Sequence, residues 1–450
     1  MVQLSFKAVV ATIVAAVALV DAADVMNAAG HQHRLVRRCG GKKNSTITHH
    51  HPASQGGNNG HHHGGNNGHH NGGNNGHHNG QQQGSIITAY ITDWAIPSSI
   101  AWNKLDHINY AFAVPGKDGT LSQFTASQLQ SVVKEAHANQ KTVSLSVGGW
   151  TGSLHFSDLV LTPSSRASFA KNIVQAVNDY NLDGIDIDWE YPNSANGVAC
   201  NSNNKADTAN FLAFMQLLRQ QLGPNKILST AVGVQPFDDE SQNPSTSLAA
   251  GWAQTVDYFN MMVYDLAGSW NPVSGANSPL AADKDDSMSV TSAVQAWSSA
   301  GIPKSKLVVG VPFYGYLAKV NQPITAATGE HVKFDTSVPQ IQGDQYDTKS
   351  ADPCPGATAT FSGEFQYRSI VQQGVNTNSS SWTNYWDAHT STPYAYNSKD
   401  QTFLTYDNPA SLTAKAKYVA QQKLGGIMLW SLEMDDANSS LLNAIQGARH

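Results

Sequence analysis

Short runs of β-branched and apolar residues alternate with amphipathic stretches from residue 85 to the end of the chain. The runs have the length and composition of strands, and the stretches between them have a helical period. Eight such alternations predict an α/β fold of the (β/α)₈ or TIM-barrel type. A doubly wound open sheet is the alternative, but no Gly-x-Gly-x-x-Gly motif follows the first run. The predicted strands are 86–92, 107–112, 142–147, 184–190, 227–232, 258–264, 307–313 and 426–430.

Local signals mark several helices of this pattern. Thr125 and Gln128 have the spacing of a capping box before the periodic stretch 129–137. Asn408 followed by Pro409 is typical of an N-cap and a first helical residue. Helical periodicity also runs through 164–180 and 207–222, which places helices after the third and fourth strands.

The interval between the seventh and eighth strands is too long for one loop and one helix. About a hundred residues separate these strands, where a few tens would suffice. The stretch 316–399 is rich in Thr, Ser, Gln and Gly and contains strand-like pieces. We therefore predict a small α+β insertion domain at 316–399, with the barrel made of 85–315 and 400–450. Active sites of such barrels lie at the carboxyl ends of the strands, so this insertion would deepen the site.

Residues 1–22 have the pattern of a secretory signal peptide. Lys7 precedes the apolar run 8–20, and Val20-Asp21-Ala22 provides the cleavage positions. A membrane anchor is the alternative, but a span needs about 20 apolar residues and no later run reaches that length. We therefore expect a secreted, extracellular protein with no membrane partner, able to reach across a cell wall.

Residues 23–84 lack apolar periodicity and carry an eight-residue repeat of Gly, Asn and His. Twelve of the 18 histidines lie between His31 and His78. This composition buries too little apolar surface to offset backbone entropy, so we expect a disordered spacer. Weak binding of zinc, copper or nickel through paired histidines is compatible with that role.

Charge and cysteine content narrow the classes of protein further. Residues 1–84 hold six Lys/Arg and two Asp/Glu, so the remainder has a formal charge of −10 and lacks the basic face that nucleic acid requires. Three cysteines cannot form a disulfide framework. Because Cys39 lies in the spacer, Cys200 and Cys354 are the expected pair if a disulfide forms.

Acidic residues occupy alternate positions of the fourth predicted strand. Side chains alternate along a strand, so Asp186, Asp188 and Glu190 share one face, which in a barrel points inward. Three carboxylates this close repel one another and raise the pKa of at least one of them. A solvated acidic edge strand is the alternative, but Ile185 and Ile187 indicate a core strand.

Two chemistries suit this acidic row, which we define as Asp186, Asp188 and Glu190. A hard cation such as magnesium or calcium would take oxygen ligands. Acid–base catalysis on a glycosidic bond needs one carboxyl to stay protonated, and flanking aromatic residues favour this interpretation because sugar C–H faces pack on Trp and Tyr. Glu190, nearest the mouth, is then the proton donor. Asp188, about 6.7 Å back along the strand, sets the proton balance or acts as a covalent nucleophile.

The spacing Asp183-x-x-Asp186-x-Asp188-x-Glu190 resembles the DxxDxDxE motif of family 18 glycoside hydrolases, the chitinases. Other segments agree in chain order, so the resemblance spans about 86–446 and includes secreted fungal members, although the His-rich leader has no counterpart in the family pattern. The agreeing segments are Ser146-Val147-Gly148-Gly149, Met262-Val263-Tyr264-Asp265, Val311-Pro312-Phe313-Tyr314-Gly315 and Trp430 on the barrel strands, with Trp386-Asp387, Pro393-Tyr394 and Tyr406-Asp407-Asn408-Pro409 near the end of a chitinase insertion domain.

The resemblance implies a retaining hydrolase that cleaves β-1,4 bonds between N-acetylglucosamine units, with the substrate's own acetamido oxygen as nucleophile. By position, Glu190 is the general acid and base, and Asp188 binds the acetamido N–H. Asp186 would share a proton with Asp188, and Tyr264 would contact the acetamido group. The resemblance implies no cofactor and no catalytic metal, chitin or its oligosaccharides as the partner, and we expect a monomer.

Residues near the strand ends are candidate contacts of the sugar chain, with a core role as the alternative for each. Ser146, Gly148 and Gly149 are expected to support the acidic row, since small residues make room inside the barrel. Asp183, at the opposite end of the strand, is expected to be structural. The candidates are Tyr90, Phe112, Gly149, Trp150, Tyr191, Met262 and Tyr314, together with Asp265, which would hold the sugar, and Trp430, which would form its floor.

Three other functions stay open. A chitin-binding lectin of this fold would lack the acid, which this chain has in Glu190. An endo-β-N-acetylglucosaminidase acting on N-glycans would have a more open barrel than the predicted insertion allows. A metal-dependent hydrolase would lose activity to a chelator, a loss that we do not expect.

Overall fold

The structure is a computed structural model that describes residues 84–284, 287–378 and 381–449. The expected signal peptide, 1–22, and the expected spacer up to residue 83 lie outside the described residues. Within the described ranges, no helix combines the length and apolar character that crossing a membrane requires.

Eight parallel strands close into a barrel. The strands of the chain are β1 Ile86–Thr92, β2 His107–Pro115, β3 Leu121–Ser122, β4 Thr142–Gly148, β5 Gly184–Asp188, β6 Ile227–Val232, β7 Tyr258–Met261, β8 Leu307–Pro312, β9 Tyr314–Lys319, β10 Glu364–Gln366, β11 Trp382–Asp387, β12 Thr392–Asn397, β13 Thr402–Thr405 and β14 Gly426–Trp430. β1 pairs in parallel with both β2 and β14, so the ladder closes on itself. The order β1-β2-β4-β5-β6-β7-β8-β14 confirms the (β/α)₈ barrel, and the doubly wound alternative is wrong.

Helices follow the barrel strands and supply its outer layer. They are α1 Ala126–Ala138, α2 Phe156–Leu161, α3 Pro163–Asp179, α4 Asp207–Leu222, α5 Gly251–Thr255, α6 Val290–Ser299, α7 Tyr367–Gln372, α8 Pro409–Gln422 and α9 Ser440–Ala444. The predicted N-cap is confirmed, because Asn408 Oδ1 accepts from the N–H groups of Ala410 and Ser411.

The predicted capping box at Thr125 is wrong. Thr125 Oγ1 donates to Asp93 Oδ2 (2.9 Å), and Gln128 Nε2 donates to the carbonyl of Asp93 (3.1 Å). Both side chains therefore hold the loop after β1 instead of the start of their own helix. A local sequence pattern does not indicate these contacts, because Asp93 lies far from α1 along the chain.

Two barrel strands end earlier than predicted. β5 stops at Asp188 and β7 stops at Met261, whereas apolar alternation predicted strands to 190 and 264. In both cases the chain leaves the barrel sheet, and a backbone N–H further along donates to a side chain. The N–H of Glu190 donates to Ser153 Oγ (2.9 Å), and the N–H of Asp265 donates to Asn277 Oδ1 (2.8 Å).

The chain between β8 and β14 forms a second, antiparallel sheet in the order β10-β9-β13-β12-β11. Its strands begin at Tyr314 and extend to Thr405, on either side of the predicted limits 316–399. A small apolar core of its own lies against this sheet. This core contains Ala318, Val320, Ile324, Val332, Phe334, Tyr394, Tyr396 and Phe403.

A disulfide joins Cys200 to Cys354 across 154 residues of sequence, which confirms the expected pair. Cys200 lies in the loop between β5 and α4, and Cys354 lies between β9 and β10. The bond therefore ties the loop that follows the acidic row to the inserted segment.

Candidate active site

The acidic row lies inside the mouth of the barrel. Asp186, Asp188 and Glu190 are 0%, 3% and 4% exposed. The alternate residues of the same segment face the helical layer, where the Trp189 ring stacks on Phe156 of α2 with centroids 5.3 Å apart. Apolar burial on that outer face fixes the strand register, so the carboxylates are held inward in spite of the cost of desolvating them.

Asp186 is held by side chains from four other barrel strands. Its Oδ2 accepts from Tyr90 Oη (2.6 Å) and Ser146 Oγ (2.8 Å). Its Oδ1 accepts from Ser229 Oγ (2.6 Å) and Asn260 Nδ2 (3.2 Å). Burial raises the pKa of Asp186 above its usual value, and these four hydrogen bonds oppose that rise. The four donors lower the cost of ionising Asp186, but burial still leaves its pKa above the usual value.

Asp188 and Glu190 have carboxyls whose protons are held tightly. Burial, followed by the charges of Glu190 and Asp186, raises the pKa of Asp188 well above its usual range. Burial raises the pKa of Glu190 to about 8, against a hydrogen bond from Tyr191 and with help from the charge of Asp265. Within the described ranges, Asp188 Oδ1 is buried without a hydrogen-bond donor. Carboxyls this strongly coupled titrate as a set, and the set keeps a proton at neutral pH.

The backbone of Glu190 is fixed from two loops. Its N–H donates to Ser153 Oγ (2.9 Å), in the turn after β4. Its carbonyl accepts from Asn201 Nδ2 (2.8 Å), next to the disulfide cysteine. A Cβ at Gly197 would lie 2.4 Å from the same carbonyl, so the loop between β5 and α4 needs glycine where it passes Glu190.

Gly148 and Gly149 let the chain after β4 approach the acidic row. Both have positive φ, of +118° and +82°, which an L side chain rarely adopts. A Cβ on Gly148 would lie 2.1 Å from the carbonyl of Asp188, and the N–H of Gly149 donates to that carbonyl (2.9 Å). The expected supporting role of these glycines therefore has a geometric basis, whereas Ser146 touches the row directly through Asp186.

Asp265 is a fourth buried carboxyl near the row. Its Oδ1 accepts from Tyr314 Oη (2.5 Å) and Tyr316 Oη (2.8 Å). Burial raises its pKa to about 7, and the two hydroxyls oppose the rise. Glu364 of β10 lies near enough for its own pKa, raised by burial to about 8, to respond to the charge of Asp265. The inserted sheet thus contributes a further buried carboxyl, that of Glu364, near Asp265.

A cavity of about 190 Å³ opens beside these groups. Tyr191, Met262, Tyr264 and Asp265 line it together, so four of the predicted residues meet at one surface. Burial, followed by the charges of Asp265, Asp188 and Glu190, raises the pKa of Tyr264 well above its usual value. The Tyr264 phenol therefore keeps its proton, which it donates to a weak acceptor, Met428 Sδ (3.9 Å).

Aromatic rings form a continuous series from the barrel interior to the surface. Trp430 stacks on Phe112 with centroids 5.4 Å apart, and Tyr90 lies 5.3 Å from Trp430. Trp94, 39% exposed, continues the series 6.5 Å beyond Phe112. The hydroxyl of Tyr90 donates to Asp186, so that residue serves the acidic row as well as the aromatic series.

Trp150 lies apart from the cavity that Tyr264 lines. It borders a second cavity of about 590 Å³, together with Trp270, Phe334 and Phe361. Its Nε1 donates to Asp352 Oδ1 (2.8 Å) in the inserted segment. Trp150 is thus separated from Tyr191, Met262 and Asp265, the predicted sugar contacts that line the first cavity.

Sequence reasoning missed several residues of the site. Ser229 lies directly opposite Asp186 in the β5–β6 register, and a polar residue within a buried strand was the signal for it and for Asn260. Trp94 lies just past the end of β1, which is the signal that singled out Trp150, whereas Trp270 lies well past the end of β7. Ser153 and Asn201 contact the backbone of Glu190 from outside the strands, and no sequence pattern indicates them. Tyr316 lies on β9, and its period-two spacing from the predicted Tyr314 was the signal for it.

The hard-cation alternative for the acidic row requires a set of ligands among residues 84–284, 287–378 and 381–449. Within these ranges, no group of three or more His, Cys, Asp or Glu side chains is arranged so that it could hold a metal ion. The histidine-rich repeats, to which weak metal binding was assigned, lie outside the described residues.

Comparisons with known proteins give relatives that cover most of the chain. The family model described as "Glycosyl hydrolases family 18" matches residues 86–435. A "chitinase-like effector" of Moniliophthora perniciosa is 35% identical over 382 residues, 80% of this chain and 86% of that protein. "Chitinase A1" of Niallia circulans is 32% identical over 70% of this chain and 43% of its own length. A crystal structure of a chitinase from Rhizomucor miehei is 54% identical, with a TM-score of 0.79 over 80% of this chain and 99% of that one. The chain therefore belongs to family 18 of the glycosyl hydrolases.

Proposed function

We propose that the protein hydrolyses the β-1,4 bonds between N-acetylglucosamine units of chitin. The observation that carries the proposal is the buried Glu190 carboxyl, whose pKa is raised to about 8 beside Asp188 at the mouth of the barrel. A carboxylic acid that stays protonated at neutral pH can donate its proton to a glycosidic oxygen. Family membership and relatives named chitinase support the same substrate.

The first half of the reaction breaks the glycosidic bond. Glu190 gives its proton to the leaving oxygen as the bond to the anomeric carbon breaks. The acetamido oxygen of the same sugar forms a bond to that carbon, so the positive charge rests on an oxazolinium ring. Asp188 accepts a hydrogen bond from the acetamido N–H, and the phenol of Tyr264 donates to the acetamido oxygen. The buried, donor-poor environment of Asp188 supports this role, because a carboxylate there is matched to a developing positive charge.

The second half restores the enzyme. Glu190, now ionised, takes a proton from a water molecule, and the resulting oxygen attacks the anomeric carbon from the face that the leaving group left. The bond to the acetamido oxygen breaks, so the product keeps the β configuration. In this scheme Asp186 shares a proton with Asp188 and holds that proton while Asp188 is the carboxylate that faces the charged ring. Trp430 forms the floor under the distorted sugar.

The test is the product pattern on soluble chitin oligomers. We expect β-anomers as first products and loss of cleavage when the N-acetyl groups are removed, since the nucleophile then disappears. A covalent adduct on Asp188, or undiminished cleavage of the deacetylated oligomer, would contradict the substrate-assisted route. The matched control is Glu190→Gln, which keeps the size and hydrogen-bonding of the side chain but removes the proton that is donated.

Binding without cleavage is the second candidate function. It is favoured by one observation, that relatives with 35% and 34% identity are named "chitinase-like effector". If the native protein releases no more short products than Glu190→Gln, and neither releases any, the binding function is supported and the enzymatic one is removed. Oligomer affinity should survive in Glu190→Gln under either candidate, which keeps the two assays independent.

Two other kinds of hydrolase can be distinguished from a chitinase, one by its preferred substrate and the other by its response to a chelator. An endo-β-N-acetylglucosaminidase would release glycans from a glycoprotein at a rate above its rate on chitin oligomers, and we expect the reverse. A metal-dependent hydrolase would lose activity in a chelator, and we expect activity to be unchanged because the acid in our scheme is Glu190. The same assays with added zinc or nickel test whether the histidine-rich segment 23–84 binds metal without affecting catalysis.

Export and oligomeric state complete the proposal. We propose that the signal peptide at 1–22 directs the chain out of the cell, that the segment 23–84 serves as a spacer, and that the protein acts as a monomer. Mass spectrometry of protein recovered from culture medium would locate the mature amino terminus. Light scattering of the same sample would give the oligomeric state, and a dimer mass would contradict the last point.

A further inference from the structure

Tyr264 and Asp265 lie on a segment that has left the barrel sheet, since β7 ends at Met261. Backbone groups that leave a ladder must find other partners when they are buried. The N–H of Asp265 donates to Asn277 Oδ1 (2.8 Å), and the N–H of Leu266 donates to the carbonyl of Asn277 (3.1 Å). Asp265 has a φ of +60°, a left-handed conformation that these contacts must hold in place.

Ser278 continues the same set of contacts to Val263. Its Oγ donates to the carbonyl of Val263 (2.6 Å) and accepts from Lys415 Nζ (2.8 Å). An ammonium group can only donate, so the hydroxyl of Ser278 is compelled to use its own proton toward Val263. Lys415 therefore fixes the direction of the hydrogen bond from Ser278 Oγ to the carbonyl of Val263, the residue before Tyr264.

Lys415 is an unusual residue for a barrel helix. It lies on α8 with no exposure, and its ammonium contacts Asp407 Oδ1 (2.7 Å) and Oδ2 (2.9 Å). Burial lowers the pKa of Lys415, and Asp407 opposes that change. Replacement of a buried ion pair by apolar residues is often neutral or stabilising, so stability alone gives a weak reason to place one here.

The inserted sheet enters the same arrangement. The N–H of Asn277 donates to Thr405 Oγ1 (2.8 Å) on β13. Ser411 Oγ donates to Asp407 Oδ1 (2.6 Å), which orients the carboxylate that receives Lys415. A helix, a strand of the insertion and the loop after β7 thus converge on the backbone of three residues, 263–265.

We propose that Lys415, Asp407, Ser278 and Asn277 form a positioning network that fixes the backbone of 263–265 and so directs Tyr264 and Asp265 toward the acidic row. These four are positioning residues, because they act through the backbone that carries the two side chains. The inference rests on the proposed function, and it assigns a role to the Tyr406–Pro409 motif beyond the start of a helix.

The test compares two double variants that remove ion pairs near opposite ends of β7. Lys415→Met with Asp407→Asn removes both charges of the network and leaves none unpaired. The control, Arg219→Met with Asp257→Asn, removes the ion pair at the other end of β7, where Arg219 Nη2 lies 2.5 Å from Asp257 Oδ2. We expect kcat on chitin oligomers to fall on the order of 10- to 100-fold in the first variant, because a shift of about 1 Å suffices for that loss, and to be unchanged in the control.

The pH profile gives a readout that a merely structural role would not move. Asp188, Tyr191, Tyr264 and Asp265 face Glu190, and the network holds the last two. The charge of Asp265 helps to raise the pKa of Glu190, so displacement of Asp265 should move the alkaline limb of kcat/KM to lower pH. The control variant should keep the limb of the native protein.

Ser278→Ala is the second variant, for the case that the double variant does not fold. It removes the hydroxyl that links Lys415 to Val263, and Ser278→Thr, which restores a hydroxyl, should recover kcat. Native kcat in Ser278→Ala, or equal losses in the two double variants, would overturn the proposal. If the native protein cleaves no oligomer, the proposed function fails instead. The network is then tested by oligomer affinity in the Glu190→Gln background, where Ser278→Ala should weaken binding and unchanged affinity would overturn it.

Discussion

Carboxylates lie at both ends of the barrel strands, but the two ends hold them in opposite ways. At the amino ends, Asp106, Asp183 and Asp257 each occupy the position just before a strand. Each accepts from a backbone N–H of a neighbouring strand at 2.8 to 2.9 Å. Each also contacts a basic side chain, and the contacts are with Arg449, His137 and Arg219 respectively.

At the carboxyl ends, the partners of the carboxylates are neutral donors. Asp186 accepts from three hydroxyls and one amide, and Asp265 accepts from two tyrosine hydroxyls. Burial raises the pKa of Asp265 to about 7 and that of Glu190 to about 8. These groups change protonation state near neutral pH, which carboxylates at ordinary pKa values do not.

The comparison shows that the surroundings of a carboxylate decide whether it contributes to stability or to catalysis. A carboxylate that accepts a hydrogen bond from a strand N–H and also contacts a basic side chain gains from being ionised. A desolvated carboxyl among neutral donors is costly to ionise and can therefore exchange a proton with a substrate. The two ends of one barrel thus divide stability and catalysis between them, a separation that substitutions can test.

The largest expected effect comes from removing one charge at each end. Asp188→Asn should lower kcat about 10²- to 10³-fold, because the carboxylate that meets the oxazolinium charge is lost. The same substitution should leave the free energy of unfolding unchanged or raise it, since it replaces a buried carboxyl that lacks a donor at Oδ1 in the described structure. Kinetics on chitin oligomers and urea unfolding measure the two quantities.

Asp257→Asn is the matched change at the amino end. It weakens the contacts to Leu228 N–H and Arg219, so the free energy of unfolding should fall by about 1 kcal/mol with kcat unchanged. Should Asp188→Asn destabilise the protein more than Asp257→Asn does, the division between the ends would be wrong.

The next effect is the pH dependence that Glu190 imposes. Glu190 must be protonated to act as the acid, so kcat/KM should fall as pH rises through about 8. Its folded pKa is raised above the unfolded value, so its contribution to stability is fully present below about 4.5 and is lost as pH rises toward 8. In Glu190→Gln, the decline of unfolding temperature over this window should be shallower than in the native protein. Parallel curves for the two proteins would show that Glu190 titrates normally.

A smaller effect is expected at Asp265. Tyr314→Phe removes one of the two hydroxyls that oppose the raised pKa of this carboxyl. The pKa of Asp265 should therefore rise further above about 7, and kcat/KM at pH 7 should fall about fivefold, as for the loss of one hydrogen bond. Tyr385→Phe, on the inserted sheet, is a control that removes a hydroxyl whose acceptor is the carbonyl of Ile324. Equal losses in both would point to a general effect of the insertion.

Much of the barrel and of the acidic row could be predicted from the sequence. The alternation of runs predicted the closed barrel, and period-two spacing placed Asp186, Asp188 and Glu190 on one face, because side-chain direction along a strand follows from backbone geometry alone. The pair Cys200 and Cys354 followed from elimination of Cys39. Properties of a single strand, and of a short list of candidates, are those that a sequence determines directly.

Partners across the barrel were harder to predict. Periodicity says that Asp186 points inward, but it does not say that Ser229 and Asn260 meet it there. Past the early end of β7, the N–H of Asp265 donates to Asn277, which lies in a later part of the loop and which periodicity does not indicate. Such contacts depend on register and closure, which emerge only when all eight strands are assembled.

The smallest expected effect concerns the cation at the amino end. Arg449 Nη1 lies 2.6 Å from Asp106 Oδ2, and both side chains are about a third exposed. An exposed pair of this kind contributes about 0–1 kcal/mol, so Arg449→Met should barely change the free energy of unfolding and should not change kcat. Asp106→Ala should cost more than Arg449→Met, because Asp106 also accepts from the N–H of Ile87. If both variants lost the same free energy of unfolding, the ion pair with Arg449 would contribute more to stability than the hydrogen bond from the N–H of Ile87. The amino-end carboxylates would then have to be described as ion pairs first, and the contrast with the neutral donors at the other end would become one of charge alone.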